Sequence, residues 1–437
     1  MEFIEQEKLS RKEEQVRKFL EVFFSADVKF VKSGTKEICS EMNIDYLDNN
    51  RRRSYTLNKN QRLIIVYEHN IITSQKTEKK ELFRILVDSE LSSEIPPVYY
   101  DSTSVIVSEF FNDNRNNTFI DFYDFNSIDV LSKTLISYML ETSAFDKSYI
   151  FAWLEKLEKL SNATFEGNYF STGFIFTRRM KQILNSKKRG YRCFPAFKSF
   201  PIVDFQNDYK RYWYLVDGDI NFYISDKKEN LSNIVSINKE QDYFDHYFLK
   251  GFISGQDTVF RSLGHGELSI VNKDRIEIIK RENEWKIRSV DSMIRFFIDS
   301  CSMSKETSKA ICYYIIQCSR GHISSILWIP ENENDSMMID KLIIQKEDIK
   351  KDNIYVTKPE YKQLLLRIFT SDGAYIISKN GKVLFCGAIV NMNMTEHSEM
   401  KGTGESASEI LGKHGVCVKV SQDGKIKIFK NGSKTFF

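Results

Sequence analysis

The residues best suited to chemistry lie towards the C-terminal end of the chain. Asp372-Gly373-Ala374 precede a β-prone run, and Gly402-Thr403-Gly404-Glu405-Ser406 open a stretch that can start a helix. Val420-Ser421-Gln422-Asp423-Gly424 complete the set, and nine of the nineteen glycines fall from Gly373 onward. Glycines ahead of a helix N-terminus let bare N–H groups approach an anion, and the helix dipole adds to the attraction. An acid beside a strand and a phosphate-cradling turn further on are parts for metal-nucleotide chemistry. The same residues would also serve a β-rich domain whose turns need glycine, and local pattern leaves both readings open.

Composition bounds the rest. At 437 residues, with 41% hydrophobic and 28% charged residues, the chain reads as a soluble protein of two or three domains. A net charge of +3 is too mild to mark a dedicated nucleic-acid binder. Seven scattered cysteines without a CxxC pair argue for a reducing compartment and against a disulfide framework or a zinc ribbon. Met1 to Gln15 is charged and lacks an apolar core, and no run approaches the roughly 20 apolar residues that span a bilayer. The expectation is a cytoplasmic protein with no membrane partner.

The elements that must position these residues follow from periodicity. Lys8 to Phe24 has one apolar face carrying Val16, Phe19, Leu20, Phe23 and Phe24, and predicts an amphipathic helix. Arg62 to Tyr67 predicts a buried strand, Glu81 to Leu91 a helix, and Val98 to Phe111 a β-rich segment. Ile128 to Ala144 and Ser148 to Leu160 are helical in period. Ser225 to Asp242, rich in Lys, Asn, Glu and Ser, reads as a linker. Leu268 to Val271, Arg275 to Ile279 and Trp285 to Arg288 predict a β-meander. Asp291 reads as the N-cap of a helix, with a second helix over Lys305 to Cys318. A strand over Ile323 to Ile329 follows, then a helix opened by Pro359. A hairpin of Tyr375 to Ser378 and Val383 to Val390 turns at Asn380-Gly381, and two strands, Val416 to Val420 and Lys425 to Phe429, end the pattern. The expected fold class is α/β and multidomain: an N-terminal α/β region over 1–111, a middle α+β region over 118–250, and a C-terminal mixed sheet flanked by helices over 255–437.

From about Ser304 to Phe437 this order, with its DGA at Asp372-Gly373-Ala374, resembles a diadenylate cyclase domain, the fold of bacterial cyclic di-AMP synthases. The resemblance implies a bacterial-type nucleotidyltransferase acting on ATP or a related nucleotide. Two domains meet face to face, each 3′-hydroxyl attacking the other nucleotide's α-phosphate. It implies Asp372 as the catalytic residue, activating that hydroxyl with Mg²⁺ or Mn²⁺, because metal and carboxylate together lower the cost of the attacking alkoxide. Gly373 and Ala374 would contact the nucleotide. Gly402 and Thr403 match the start of the family's second motif, but Gly404-Glu405-Ser406 stand where the family has Arg-His-Arg. Backbone N–H groups of Gly404, Glu405 and Ser406, with the hydroxyls of Thr403, Ser406 and Ser408, could replace those cations. Alternatively Lys401, Lys413 or Lys419 could supply the charge. The family's later Ser-Glu turn is matched by Ser421-Gln422-Asp423, which implies Ser421 as a nucleotide contact and Asp423 as a second metal ligand. Asp423-Gly424 is equally a hairpin turn pair.

Two rivals stand beside this reading: a degenerate cyclase fold that only binds a nucleotide or cyclic dinucleotide, and a nucleotidyltransferase with another product. Residues 1–250 would form a sensor. Basic residues from Thr177-Arg178-Arg179-Met180-Lys181 to Lys187-Lys188-Arg189, followed by Tyr191, Phe194 and Phe197, could also bind nucleic acid.

Overall fold

A computed structural model describes residues 3–4, 9–45, 53–68, 81–112, 128–142, 145–178, 191–201, 210–213, 215–225, 230–237, 257–272, 274, 276–348, 353–370, 373–394 and 402–436. These fall into two compact units, one running to Arg288 and the other from Ser289 onward.

Among its described residues the first unit holds two larger sheets and a two-stranded hairpin. Strands β1 (Asp27–Val31), β2 (Ser54–Thr56), β3 (Gln61–Tyr67) and β4 (Glu81–Asp88) form an antiparallel sheet in the order β1-β4-β3-β2. Helix α1 (Arg11–Phe24) buries the five apolar residues its period marked, and Ser10 with Glu13 closes a capping box at its start. A short α2 (Thr35–Glu41), then α3 (Pro97–Asn112), α4 (Ile128–Leu140) and α5 (Lys147–Ser161) follow. A two-residue-strand hairpin, β5 (Thr164–Phe165) and β6 (Asn168–Tyr169), leads into the second sheet. That sheet contains β7 (Thr172–Phe176), β8 (Tyr191–Pro201), β9 (Asn221–Ser225), β10 (Asn230–Ile237), β11 (Thr258–Gly264), β12 (Glu267–Asn272), β13 (Glu277–Arg281) and β14 (Glu284–Arg288), with a helical turn α6 (Lys210–Trp213) between β8 and β9. Its order is β14-β13-β12-β11-β7-β9-β10-β8.

Four expectations are corrected here. Glu81 to Leu91 is a strand, because Ile85, Leu86 and Val87 sit between β1 and β3. Val98 to Phe111 is a helix, with Tyr99, Tyr100, Thr103, Ser104, Ile106, Val107 and Phe110 buried at helical spacing despite their β preference. The segment read as a linker contains β10, paired on both sides by β8 and β9. The meander β11–β14 extends the first unit's sheet through β7, so the division falls at Ser289 and not at 255.

Several buried charges inside this unit are paired. Glu277 Oε2 accepts from Arg288 Nε at 2.9 Å while its Oε1 takes the Ser269 hydroxyl at 2.5 Å. Arg281 holds Glu267, and Lys133 and Lys280 share Asp129 and Glu158. Each of these buried ions therefore has the partner its desolvation demands.

The second unit is one seven-stranded mixed sheet. Helices α7 (Val290–Cys301) and α8 (Lys305–Arg320) precede β15 (Ser325–Pro330), α9 (Ser336–Leu342), β16 (Ile343–Asp348) and α10 (Lys362–Ile368). Then come β17 (Ala374–Ile377), β18 (Val383–Val390), α11 (Thr403–Gly412), β19 (Gly415–Val420), β20 (Ile426–Lys430) and β21 (Ser433–Phe436). The order is β16-β18-β17-β15-β19-β20-β21, with β15 and β17 parallel and every other pair antiparallel. Ser289, not Asp291, caps α7, its Oγ accepting from Ser292 N. Successive strand residues face opposite sides. Trp328 and Cys417 pack with Ala407, Ile410 and Leu411 of α11, whereas Leu327 and Val418 meet Tyr314 and Ile315 of α8. The sheet thus has a helix on each face, the flanked mixed sheet that the sequence predicts.

Candidate functional site

Gly373 and β18 meet by backbone. Gly373 has φ +94°, and a Cβ there would lie 2.6 Å from the carbonyl carbon of Gly387, so only glycine lets β17 start this close to β18. At the hairpin's tip Gly381 N donates to Ser378 O at 2.9 Å and Ser378 N to Lys382 O at 2.9 Å. Gly381 carries φ +85° and Asn380 does not, so this is a three-residue loop with a bulge and not a two-residue Asn-Gly turn. The Gln422-Asp423-Gly424 turn repeats the pattern: Gly424 N donates to Ser421 O at 2.8 Å, and Ser421 N to Lys425 O at 3.0 Å.

The start of β17, the N-terminus of α11 and the end of β19 with Ser421 and Gln422 surround a cavity of about 1050 Å³. Gly373 and Ala374 form one wall, Gly402, Thr403, Gly404 and Glu405 a second, and Ser324, Lys419 and Ser421 a third. That volume lies at the upper end of what a drug-sized or cofactor-sized ligand occupies. Seven of the residues singled out in the sequence therefore share one space: Gly373, Ala374, Gly402, Thr403, Gly404, Glu405 and Ser421. Asp372 lies outside the described residues, as do Lys401 and most of the basic stretch after Arg178.

The phosphate-cradle expectation needs revision at three groups. Glu405 N and Ser406 N both donate to Gly402 O, at 3.0 and 3.2 Å, inside the first turn. The Ser408 hydroxyl donates to Gly404 O at 2.8 Å. The N–H groups at this helix start outside those bonds belong to Thr403 and Gly404, and of the hydroxyls of Thr403, Ser406 and Ser408 that of Thr403 belongs to a residue lining the cavity. Asp423 is not among the residues lining the cavity. Its carboxylate takes Lys425 N at 3.1 Å and faces Lys425 Nζ at 3.1 Å. Burial pushes its pKa up, but those Lys425 contacts outweigh it and hold the group below the ordinary Asp value.

The charges at the cavity are unequal. Glu405 Oε2 is 2.6 Å from Lys427 Nζ, so its charge is answered from β20. Lys419 sits on β19, is 9% exposed, and donates to Ser324 Oγ at 2.6 Å. Burial depresses its pKa below the ordinary lysine value; Cys417 and Glu405 oppose the depression and Lys427 adds to it. Of the lysines considered from sequence that are described, Lys419 lines the cavity, whereas Lys413 lies at the other end of α11. Gln422 lines it too, and so do His322, Ser324 and Thr370, which were not marked. His322 sits in the turn before β15, and its Nδ1 lies 3.0 Å from Gln422 O. Lys419 carried a usable signal: a lysine in phase with buried Cys417, on a strand whose alternate residues are Val416, Val418 and Val420.

A metal would need carboxylates. Among the described residues no group of three or more His, Cys, Asp or Glu side chains could hold one. Mg²⁺ commonly uses one or two carboxylates and completes its shell with substrate phosphates and water, which Asp372 and a bound nucleotide would satisfy. Such an ion would offset charge on the reacting phosphate.

No family model matches the chain, and no curated protein matches it. Among solved structures it is similar to a hypothetical membrane-spanning protein from Bacillus cereus, at 18% identity and a TM-score of 0.23, covering 34% of this chain and 86% of that one. It is also similar to a double-cysteine variant of DacA from Staphylococcus aureus, at 15% identity and a TM-score of 0.21, covering 30% of this chain and 85% of that one. Similarity at this level says nothing about ligand or reaction. Among the described residues no helix is long and apolar enough to cross a membrane.

Proposed function

We propose that the second unit is a nucleotide-handling domain, a metal-dependent nucleotidyltransferase of the diadenylate-cyclase type that joins ATP into a cyclic dinucleotide under control of the first unit. The observation that carries this reading is the cavity: Gly373-Ala374, Gly402-Thr403-Gly404 and Ser421, distant in sequence, open onto one space of nucleotide size. Asp372 is the residue before Gly373 in that wall and is assigned the activation of the attacking hydroxyl, with Mg²⁺ or Mn²⁺. One active site would take two chains face to face, which makes activity depend on self-association.

A second reading is favoured by the residues replacing Arg-His-Arg. Gly404 has no side chain, and the Glu405 charge is tied to Lys427, so the site could hold a nucleotide or cyclic dinucleotide without turning it over. Incubating the full chain with ATP and Mg²⁺ or Mn²⁺, beside Asp372→Ala, and reading products by mass spectrometry separates the two. Cyclic di-AMP from the wild type alone supports the cyclase. Another product lost with Asp372 gives a nucleotidyltransferase of different outcome. Saturable binding without product, unaffected by Asp372→Ala, gives the sensor, and neither product nor binding removes the nucleotide reading.

A further inference from the structure

The buried lysine of β19 stands in an unusual electrostatic position. Lys419 is nine-tenths buried, and among the described residues no carboxylate lies within ion-pair distance of its Nζ. Its hydrogen-bond partner is a neutral hydroxyl, Ser324 Oγ. A Cβ built on Gly404 would come within 3.0 Å of Lys419 Nζ and Cε, so the ammonium lies over the first turn of α11. That is the positive end of a helix dipole, where a cation is disfavoured. The nearby acid, Glu405, is held by Lys427. A buried ammonium and a helix N-terminus thus concentrate positive potential on one corner of the cavity, and a buried charge left unanswered is costly. An anion placed there would satisfy Lys419, the hydroxyls of Ser324 and Thr403, and the N–H groups of Thr403 and Gly404 together.

We propose that Lys419 is the phosphoanion-binding residue of this cavity, reaching the polyphosphate of the ligand through the space that the absent side chain of Gly404 leaves open. The positive charge is supplied from the strand floor instead of from the helix. Gly404 is then a requirement for the lysine and not merely a turn residue. This rests on the nucleotide reading only for the identity of the ligand, since the chemistry recognised is the phosphate chain itself.

The test uses the full chain, with inorganic tripolyphosphate and ATP as separate probes, in calorimetric titration and thermal unfolding. The expected result is that Lys419→Gln weakens both by about 10- to 100-fold, the cost of losing a charged hydrogen-bond donor. The unliganded variant should melt at or above the wild-type temperature, because no counter-ion is stranded; a merely structural lysine would instead lower it. Gly404→Ala, which keeps the charge but crowds it, should weaken tripolyphosphate by a smaller factor. Equal tripolyphosphate binding by wild type and Lys419→Gln overturns the assignment, as does a lowered melting temperature with affinity intact. Tripolyphosphate binding through Lys419 without ATP binding leaves the assignment standing and removes the nucleotide reading. No binding of either probe removes both.

Discussion

Lys427 Nζ lies 2.6 Å from Glu405 Oε2, so β20 neutralises the one acid that the first turn of α11 presents to the cavity. An uncompensated carboxylate there would repel a phosphate; a compensated one mainly restrains Lys427. Glu405→Gln should therefore raise affinity for ATP or tripolyphosphate, by roughly two- to fivefold, the scale of a partly exposed ion pair. It should also lower thermal stability slightly, since an acid in the first turn complements the helix dipole. Titration calorimetry with an unfolding scan checks both, and a loss of affinity would mean that Glu405 is itself a ligand or metal contact.

Lys419 predicts a pH signature. Its folded pKa lies below the unfolded value of about 10.4, so between the two the unfolded chain binds more protons and stability rises with pH. The charged groups around it are Glu405 and Lys427, with Cys417, whose thiol burial pushes up to about 12. Lys419→Met should be more stable than wild type near neutral pH, with the difference shrinking as pH approaches about 10. Denaturant titrations at a series of pH values measure this, and a gap that widens with pH would contradict it.

Gly373→Ala should disable the second unit. The substitution combines a left-handed backbone with a 2.6 Å contact to Gly387, together roughly 2–5 kcal/mol. Loss of the cooperative transition, or its shift to much lower denaturant, is the expected outcome, whereas Gly402→Ala, whose Cβ meets nothing within 4 Å, should leave stability nearly unchanged.

In the first unit, Glu277→Gln leaves Arg288 buried without its counter-charge and weakens the bond from Ser269. A cost of about 3–5 kcal/mol is expected, read by chemical denaturation. Replacing Glu277 and Arg288 together by apolar residues should recover much of that loss, because the uncompensated charge is gone.

Much of the second unit was legible because its signals are local. Pro359, the glycines at 373, 402 and 424, and the alternating valines of β19 each fix their own backbone, and they delimit the strands and helices closely. Glu81 to Leu91 was misread because its apolar spacing fits either period, and only pairing with β1 and β3 decides between them. Val98 to Phe111 was misread on composition, although Pro97 at the first helical position was a start signal. The boundary at 255 failed for a different reason: β11 pairs with β7, far back in the chain, and no local pattern records that. At the cavity, glycine turns announce themselves. The role of Lys419 needed the sheet, since only the pairing of β15 with β19 shows which space its side chain enters.

That pairing also governs when the site can exist. Ser324 and Lys419, which touch, are 95 residues apart, so closing the cavity floor means closing one of the longest loops in this unit. Contacts of such separation form late and slowly. A growing or partly unfolded chain can display its glycine turns while having no binding corner at all. Ligand would then act as a latch on the finished sheet, adding about 2.7 kcal/mol at a hundredfold excess over Kd and slowing the unfastening of β19 before any other strand.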